Sequence, residues 1–255
     1  MIRRVINMEL EKYLARFDAS AFKEVSLQNL EHLQNLHLQH IPFENLDVIR
    51  GTPIYLNLKT IYEKVVKNNR GGYCYELNGL FHSLLVKLGY DAHLVSATVL
   101  RQTGEWAKPD THAALLVHLN EPYLVDVGFG AATPRVPVPL NGLEQTDASA
   151  TYSIDQHEGN LYDLIRQSET EKRTLYRFNI GKKNLIDFHE GCVFNQVAKE
   201  SSFTHTDIVT RAIPTGRMTL ADQTLTVIEN GVRTKSELSS EEKVRVLRDL
   251  FFIKL

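Results

Sequence analysis

The chain has 255 residues, 43% of them hydrophobic, which is enough to bury one large core or roughly two to three smaller ones. A formal net charge of −2 and the lack of a long basic stretch argue against nucleic acid or an anionic membrane surface as a partner. The sequence has no apolar run of about 18 residues, and the Met1–Glu9 stretch lacks the apolar core of a signal peptide, so we expect a cytoplasmic protein.

Helical periodicity dominates the chain up to about residue 88. Ser26 is a typical N-cap residue, and the leucines that follow it at helical spacing predict a helix from Leu27 to beyond Leu36. A second helix is predicted to begin near Cys74 and to end at Gly89, a typical C-terminal cap. Its apolar face consists of Leu77, Leu80, Phe81, Leu84, Leu85 and Leu88. Both apolar stripes indicate core packing.

Short β-type runs replace this pattern from about residue 92. They cover residues 92–99, 112–119, 123–127, 134–139, 161–165, 175–180, 208–212, 218–220 and 224–227. A last helix with a serine cap is predicted over 240–250. Because helices come first, strands follow and the two types do not alternate strictly, the order indicates an α+β fold rather than a doubly wound sheet.

A cysteine lies between a double glycine and the start of the second predicted helix, in the segment 70–78, RGGYCYELN. At a helix N-terminus, free backbone N–H groups and the positive end of the helix dipole stabilise a thiolate, so we expect the pKa of Cys74 to lie below its usual value of about 8.5. Taken alone, Cys74 is more typical of a small buried apolar residue. The double-glycine turn and the polar partners described below favour a nucleophile.

The second cysteine, Cys192, is far from Cys74 in the sequence. In a reducing compartment this pair argues against a disulfide, and we expect Cys192 to be a buried structural thiol. A zinc site built from a cysteine, a histidine and a carboxylate is a disfavoured alternative, because neither a Cys-x-x-Cys motif nor a His-x-x-x-His pair accompanies Cys74. We predict no metal site.

A predicted β-hairpin supplies partners for the thiol. Its strands, 111–119 and 123–127, are separated by residues 120–122, which we interpret as a three-residue loop. With the hairpin centred on residue 120, His112 and Asp126 are diagonal neighbours on one face, whereas a one-residue slip would separate them. A carboxylate beside the imidazole fixes its tautomer and leaves the other ring nitrogen to take the thiol proton. Alone, each residue is more typical of a strand start or a turn, but together with Cys74 they predict a catalytic triad.

Four segments resemble the arylamine N-acetyltransferase family in order and spacing. They are 41–46 (IPFENL), 70–78, Thr111-His112 and 125–130 (VDVGFG). The resemblance extends over roughly residues 8 to 230. It implies an N-terminal helical bundle over 1–88, a central β-barrel over 89–190 and a C-terminal α/β lid over 191–255. It also implies a Cys74-His112-Asp126 triad laid out as in papain-like proteases and transglutaminases.

The resemblance implies acetyl-coenzyme A as the acetyl donor, and arylamines, arylhydrazines or N-hydroxyarylamines as acceptors, with an acetyl-cysteine intermediate and ping-pong kinetics. It points to four acceptor-pocket residues on which a flat ring would stack: Phe43, Tyr75, Phe129 and Phe203. Each of these could equally be a core residue. Gly128 and Gly130 would let the backbone approach the coenzyme, although a Gly-x-Gly pair also suits a turn that leaves a strand.

Two other classes of function remain open. A cysteine hydrolase or transglutaminase-type enzyme would use the same triad on an amide and would turn over without coenzyme A. A catalytically idle module that binds aromatic ligands is disfavoured by the intact triad.

Opposite charges in two of the motifs predict an ion pair. Glu44 and Arg70 are expected to form a partly buried pair that holds the Gly71-Gly72 turn before Cys74.

Overall fold

The computed structural model describes residues 10–20, 24–169 and 171–254. The Met1–Glu9 stretch, on which the expected lack of a signal peptide rests, lies outside these residues. Within the described ranges, no helix combines the length and the apolar character needed to cross a bilayer.

Helices make up most of the described chain before residue 88. They are α1 (Leu10–Arg16), α2 (Leu27–His40), α3 (Leu46–Ile49), α4 (Leu58–Tyr62), which continues into a π-helical turn (Glu63–Lys67), and α5 (Cys74–Lys87). Both predicted helices are confirmed: Ser26 caps α2 by accepting a hydrogen bond from the Asn29 N–H at 3.2 Å, and Gly89 follows α5 with a φ of +98°. The helices α3 and α4 were not predicted because four or five residues are too few to show a helical period.

The middle of the chain forms an antiparallel eight-stranded sheet in the order β5-β4-β3-β2-β9-β8-β7-β6. Its strands are β2 (Asp91–Val99), β3 (His112–His118), β4 (Pro122–Val125), β5 (Val138–Pro139), β6 (Gln145–Thr146), β7 (Thr151–Gln156), β8 (Leu161–Gln167) and β9 (Lys172–Lys183). Because β5 lies against β7, the sheet nearly closes into a barrel. The predicted α+β fold with a central barrel is confirmed.

A five-stranded sheet follows, in the order β1-β10-β11-β12-β13. It contains β1 (Phe43–Glu44), β10 (Ile208–Ile213), β11 (Gly216–Ala221), β12 (Thr224–Glu229) and β13 (Val232–Glu237), and it is accompanied by α6 (His189–Val197) and α7 (Ser240–Asp249). The strand β1 lies within the first 88 residues, where helical periodicity dominates the sequence, and it pairs with β10. The cap of α7 is Ser239 rather than Ser240, because its hydroxyl accepts from the Glu242 N–H.

The predicted register of the β3–β4 hairpin is confirmed. Leu115 pairs with Val125 and His118 pairs with Pro122, which places the centre at residue 120. The loop itself is one residue earlier than predicted, because Pro122 already belongs to β4. Proline lacks a backbone N–H, but at the first position of a strand few inter-strand hydrogen bonds are lost.

One apolar core joins the helices to the barrel. Leu77, Leu80 and Phe81 of α5 belong to the same buried cluster as Leu115 and Val117 of β3. The other face of β3 points into a second cluster inside the barrel. The helix that begins with Cys74 therefore lies directly against the strand that begins with His112, across the boundary predicted at residue 88. The three-part division of the chain stays a prediction.

Candidate active site

Cys74 is the first residue of α5 and is buried, with 2% of its surface exposed. The turn before it is fixed by hydrogen bonds: the Glu44 N–H donates to the Gly72 carbonyl at 2.9 Å, and the Tyr73 N–H donates to the Glu76 carboxylate at 3.1 Å. The Cys74 Sγ lies 3.9 Å from the carbonyl oxygen of Thr111. The thiol is thus placed beside the residue that precedes His112.

A network of buried charges supports this turn. Arg70 Nη2 lies 2.8 Å from Glu44 Oε1 and 2.7 Å from Asp47 Oδ1, which confirms the predicted ion pair and extends it. Lys64 Nζ lies 2.8 Å from Asp47 and 2.9 Å from Glu76. Burial alone would lower the pKa of Lys64, but the surrounding carboxylates outweigh it and raise that pKa. The charged side chains therefore hold one another in place under the turn.

His112 and Asp126 are in direct contact, since His112 Nε2 lies 2.7 Å from Asp126 Oδ2. The carboxylate also accepts hydrogen bonds from Tyr176 Oη at 3.0 Å, from Asn78 Nδ2 at 2.8 Å and from the Gly128 N–H at 2.7 Å. A carboxylate can only accept, so Nε2 carries the imidazole proton and Nδ1 is left to act as a base. The four donors compensate for burying the charge of Asp126.

Burial raises the pKa of the Cys74 thiol, contrary to the low value expected from its place at a helix start. The Ala113 N–H lowers this pKa, the charge of Asp126 raises it further, and the Tyr75 N–H lowers it. The expectation considered the helix dipole and omitted the cost of removing a thiolate from water, which exceeds it here. A thiolate in this place therefore needs an adjacent cation.

A cavity of about 300 Å³ opens beside Cys74 and His112. Its wall includes three of the four predicted pocket residues, Phe43, Phe129 and Phe203. The other lining residues are Val99, Arg101, Ala107, Thr111, Gly128, Phe194, Asn195, Glu200, Ser201 and Ser202. The Phe129 ring meets the His112 ring edge-on, with centroids 5.0 Å apart. A small flat molecule fits this volume and would reach both Cys74 and His112.

Tyr75 lies outside this cavity wall, which corrects the prediction for this residue. Its side chain is fully buried, its ring packs edge-on against Tyr73 with centroids 5.2 Å apart, and its Oη donates to the Asp110 carbonyl at 3.1 Å. Consecutive residues of a helix point in different directions, so the residue after Cys74 turns away from the thiol.

The two predicted coenzyme glycines have different surroundings. A Cβ at Gly128 would lie 2.7 Å from the Cys74 Cα and 2.8 Å from Asn78 Nδ2, so a glycine lets the loop after β4 pack against the start of α5. Gly130 adopts a φ of +85°, which favours glycine, and lies beside the Phe43 ring. Gly128 therefore has a structural role that needs no ligand, and the coenzyme contact stays a prediction.

Sequence reasoning missed two side chains that hold Asp126. Asn78 lies one turn after Cys74 on α5, and this spacing could have indicated that both face the same site. Tyr176 lies in β9, which pairs with β2 and not with the hairpin of His112 and Asp126, and no local pattern connects it to them.

The chain is similar in sequence to known N-acetyltransferases. The sequence profile of a family described as N-acetyltransferase matches residues 26–255. An arylamine N-acetyltransferase of Escherichia coli is 35% identical over 228 residues, which cover 87% of this chain and 80% of the relative. The chain belongs to the arylamine N-acetyltransferase family. It is accordingly an acetyltransferase.

Solved structures of arylamine N-acetyltransferases share the fold. One from Bacillus cereus superimposes with a TM-score of 0.90 at 30% identity, covering 96% of this chain and 98% of its own, and is described as having a unique Cys-His-Glu catalytic triad. One from Mycobacterium marinum in complex with CoA gives a TM-score of 0.89 at 31% identity, covering 96% and 93%. In the arylamine N-acetyltransferase fold of the present chain, the carboxylate beside His112 is an aspartate.

Proposed function

We propose that this protein transfers an acetyl group from acetyl-coenzyme A to an arylamine, an arylhydrazine or an N-hydroxyarylamine by way of an acetylated Cys74. The observation that carries the proposal is the buried contact of 2.7 Å between His112 Nε2 and Asp126 Oδ2, on an imidazole that shares a cavity with Cys74. Membership of the family supports acetyl transfer, and the geometry supports these three residues as its catalytic triad.

In the first half-reaction, His112 Nδ1 takes the proton of Cys74. Because burial disfavours a lone thiolate, the charge separation occurs only beside the imidazolium, which Asp126 stabilises. The thiolate attacks the acetyl carbonyl carbon, an S–C bond forms, and the bond to the coenzyme sulfur breaks. His112 then gives its proton to the departing thiolate. The backbone N–H groups of Cys74 and of the turn after it are candidate donors for the oxyanion.

In the second half-reaction, an aromatic amine enters the cavity and attacks the acetyl-cysteine. Such amines are weakly basic and remain unprotonated near neutral pH, so their nitrogen is nucleophilic. His112 accepts the amine proton and returns it to the Cys74 sulfur as the C–S bond breaks. The rings of Phe43, Phe129 and Phe203 provide stacking surfaces for the acceptor.

One face of the five-stranded sheet offers a path for the donor. Phe43, Thr210, Thr219, Thr226 and Lys235 pair in this order across all five strands and so share one face. At a strand spacing of about 4.8 Å, the row extends about 19 Å from the cavity to its outer end.

The neighbouring row adds further cations. Arg217 and Arg233 share the same face, and Arg217 donates to the carbonyl of Ala131, the residue after Gly130, at 2.9 Å. The Thr210 hydroxyl is buried and already bonded to the Met218 carbonyl and the Thr219 hydroxyl. The hydroxyls of Thr219 and Thr226 suit the amide-bearing arm of acetyl-coenzyme A, and Arg233 and Lys235 at the outer end suit its phosphates. We place the donor along this face, with its thioester towards Cys74.

Intact-protein mass spectrometry tests the covalent step. Acetyl-coenzyme A without an acceptor is expected to add about 42 Da to the peptide that contains Cys74, and a later addition of an arylamine is expected to remove it. Cys74→Ala is the control. The absence of the adduct in the wild type, or its presence in Cys74→Ala, would contradict the proposal. Amide turnover without coenzyme A would instead indicate the hydrolase alternative.

A further inference from the structure

Two consecutive backbone carbonyls, immediately before His112, are held by side chains from two different helices. The Asp110 carbonyl accepts from Tyr75 Oη of α5 at 3.1 Å. The Thr111 carbonyl accepts from Asn195 Nδ2 of α6, also at 3.1 Å. The same Nδ2 lies 3.3 Å from Tyr75 Oη. Tyr75 follows Cys74 directly, so these bonds connect the neighbour of the nucleophile with the neighbour of the base.

The approach of α6 to this point is unusually close. A Cβ at Gly191 would lie 2.2 Å from the Asp110 carbonyl oxygen and 2.6 Å from Tyr75 Oη, so only a glycine permits the contact. Asn195 is buried, with 3% of its surface exposed, and lines the cavity beside Cys74. The thiol of Cys74 and the amide of Asn195 therefore approach the same carbonyl oxygen, that of Thr111.

We infer that Asn195 and Tyr75 are positioning residues that hold His112 at the distance from Cys74 required for proton transfer. Cys74 lies on α5 and His112 on β3, so their separation depends on the backbone at residues 110–113. Releasing the Thr111 carbonyl would let that backbone shift, and a displacement of about 1 Å in a catalytic pair costs about 10²-fold in rate. The inference rests on the proposed function and assigns Tyr75 a role other than contact with the acceptor.

The neighbouring residue on α6 provides a matched control. Gln196 is also an amide, and its Oε1 accepts from the Ile54 N–H at 2.7 Å while its Nε2 donates to the Ile54 carbonyl at 3.2 Å. It lines a different cavity, whose wall does not include Cys74. Replacing Gln196 removes these bonds and the contacts of its Nε2 with the carbonyl and Sγ of Cys192 on the same helix. These hydrogen bonds do not involve the residues before His112.

The experiment compares Asn195→Leu with Gln196→Met in the full-length protein. The rate of Cys74 acetylation by acetyl-coenzyme A, the pH dependence of Cys74 alkylation by iodoacetamide and the melting temperature are measured for each. Asn195→Leu is expected to acetylate about 10²-fold more slowly and to shift the alkylation profile to higher pH. Gln196→Met is expected to keep the wild-type alkylation profile and an acetylation rate within about threefold of the wild type. This holds even if its melting temperature falls as much as that of Asn195→Leu.

Two further variants keep the test decisive if Asn195→Leu does not fold. Asn195→Asp keeps the size of the side chain but replaces the donor to the Thr111 carbonyl with a carboxylate oxygen, which can only accept. Tyr75→Phe removes only the hydroxyl that donates to the Asp110 carbonyl. Both are expected to shift the alkylation profile in the same direction, Tyr75→Phe by less. Wild-type profiles in both variants, or equal loss of activity in Gln196→Met, would overturn the inference. If the wild type forms no acetyl-cysteine, the proposed function fails, whereas the alkylation profiles still decide the positioning role.

Discussion

His37 provides a quantitative test of the buried helical core, because it is uncharged and completely enclosed. It lies on α2 with no exposed surface, its Nε2 lies 2.9 Å from Tyr13 Oη, and its ring packs against Phe17 and Phe81 with centroids 5.4 and 5.1 Å away. Burial, with smaller contributions from Arg16 and His40, lowers the pKa of His37 to about 3 from its ordinary value of 6.5.

The lowered pKa of His37 makes the folded protein less stable as the pH falls. A depressed folded-state pKa means that, as the pH falls, the unfolded chain binds the proton first. The free energy of unfolding is therefore unaffected by His37 above about pH 6.5 and falls by about 1.4 kcal/mol per pH unit below it. By pH 5 the loss reaches about 2 kcal/mol, and near pH 3 it reaches about 5 kcal/mol, as large as the total stability of some domains.

The measurement is urea unfolding of the wild type and of His37→Gln between about pH 8 and pH 5. Glutamine can accept from Tyr13 but does not titrate, so it removes only the proton linkage. The difference in unfolding free energy is expected to stay constant above about pH 7 and to change by about 2 kcal/mol, in favour of the variant, by pH 5. A difference that does not vary with pH would refute the reasoning, because His37 would then take up its proton in the folded protein.

Asp126→Asn is expected to slow acetylation of Cys74 by about 10³-fold or more in a protein that still folds, because the amide presents a donor to a site built from donors. The acetylation rate is measured by rapid-mixing detection of released coenzyme A. A wild-type rate would mean that Asp126 has only a structural role in the hairpin. Arg70→Met is expected to cost about 3 kcal/mol in urea unfolding, since Glu44 stays buried without its main partner, whereas an unchanged midpoint would contradict the buried network. Replacing Arg233 and Lys235 by glutamine is expected to raise KM for acetyl-coenzyme A about tenfold and leave KM for the acceptor unchanged, as two exposed charge contacts of about 0.7 kcal/mol each imply. A KM for acetyl-coenzyme A equal to that of the wild type would contradict the proposed position of the donor along this sheet face.

Features that depend on neighbouring residues could be predicted from the sequence. The cap at Ser26 and the stop at Gly89 each depend on one residue type at one place. The contact between His112 and Asp126 followed from a short hairpin, because a turn fixes the register of the strands that it joins. The Glu44–Arg70 pair joins residues 26 positions apart, and it could be predicted because both lie in motifs that resemble the family's and carry opposite charge.

Features that depend on distant packing could not be predicted. Tyr176 and Asn195 reach the site from β9 and α6, and nothing next to either residue in the sequence indicates this contact. The pKa of Cys74 was predicted to be lowered, but burial raises it. The helix dipole is a local property that the sequence indicates, whereas desolvation depends on everything packed around the thiol. Tyr75 was predicted to line the acceptor pocket and does not, for a related reason: a motif does not give the direction of each side chain.

The two ends of the five-stranded sheet differ in how they avoid self-association. At one end, β1 is covered by the turn before Cys74, through the bridge between Phe43 and Gly72. At the other end, β13 is the last strand among the described residues, all of it exposed, and Arg233, Lys235 and Glu237 alternate along it. Charged side chains on an open edge discourage pairing with the edge of a second molecule. The cations proposed to meet the donor phosphates would thus also keep the protein monodisperse, and neutralising them is expected to promote aggregation at high protein concentration.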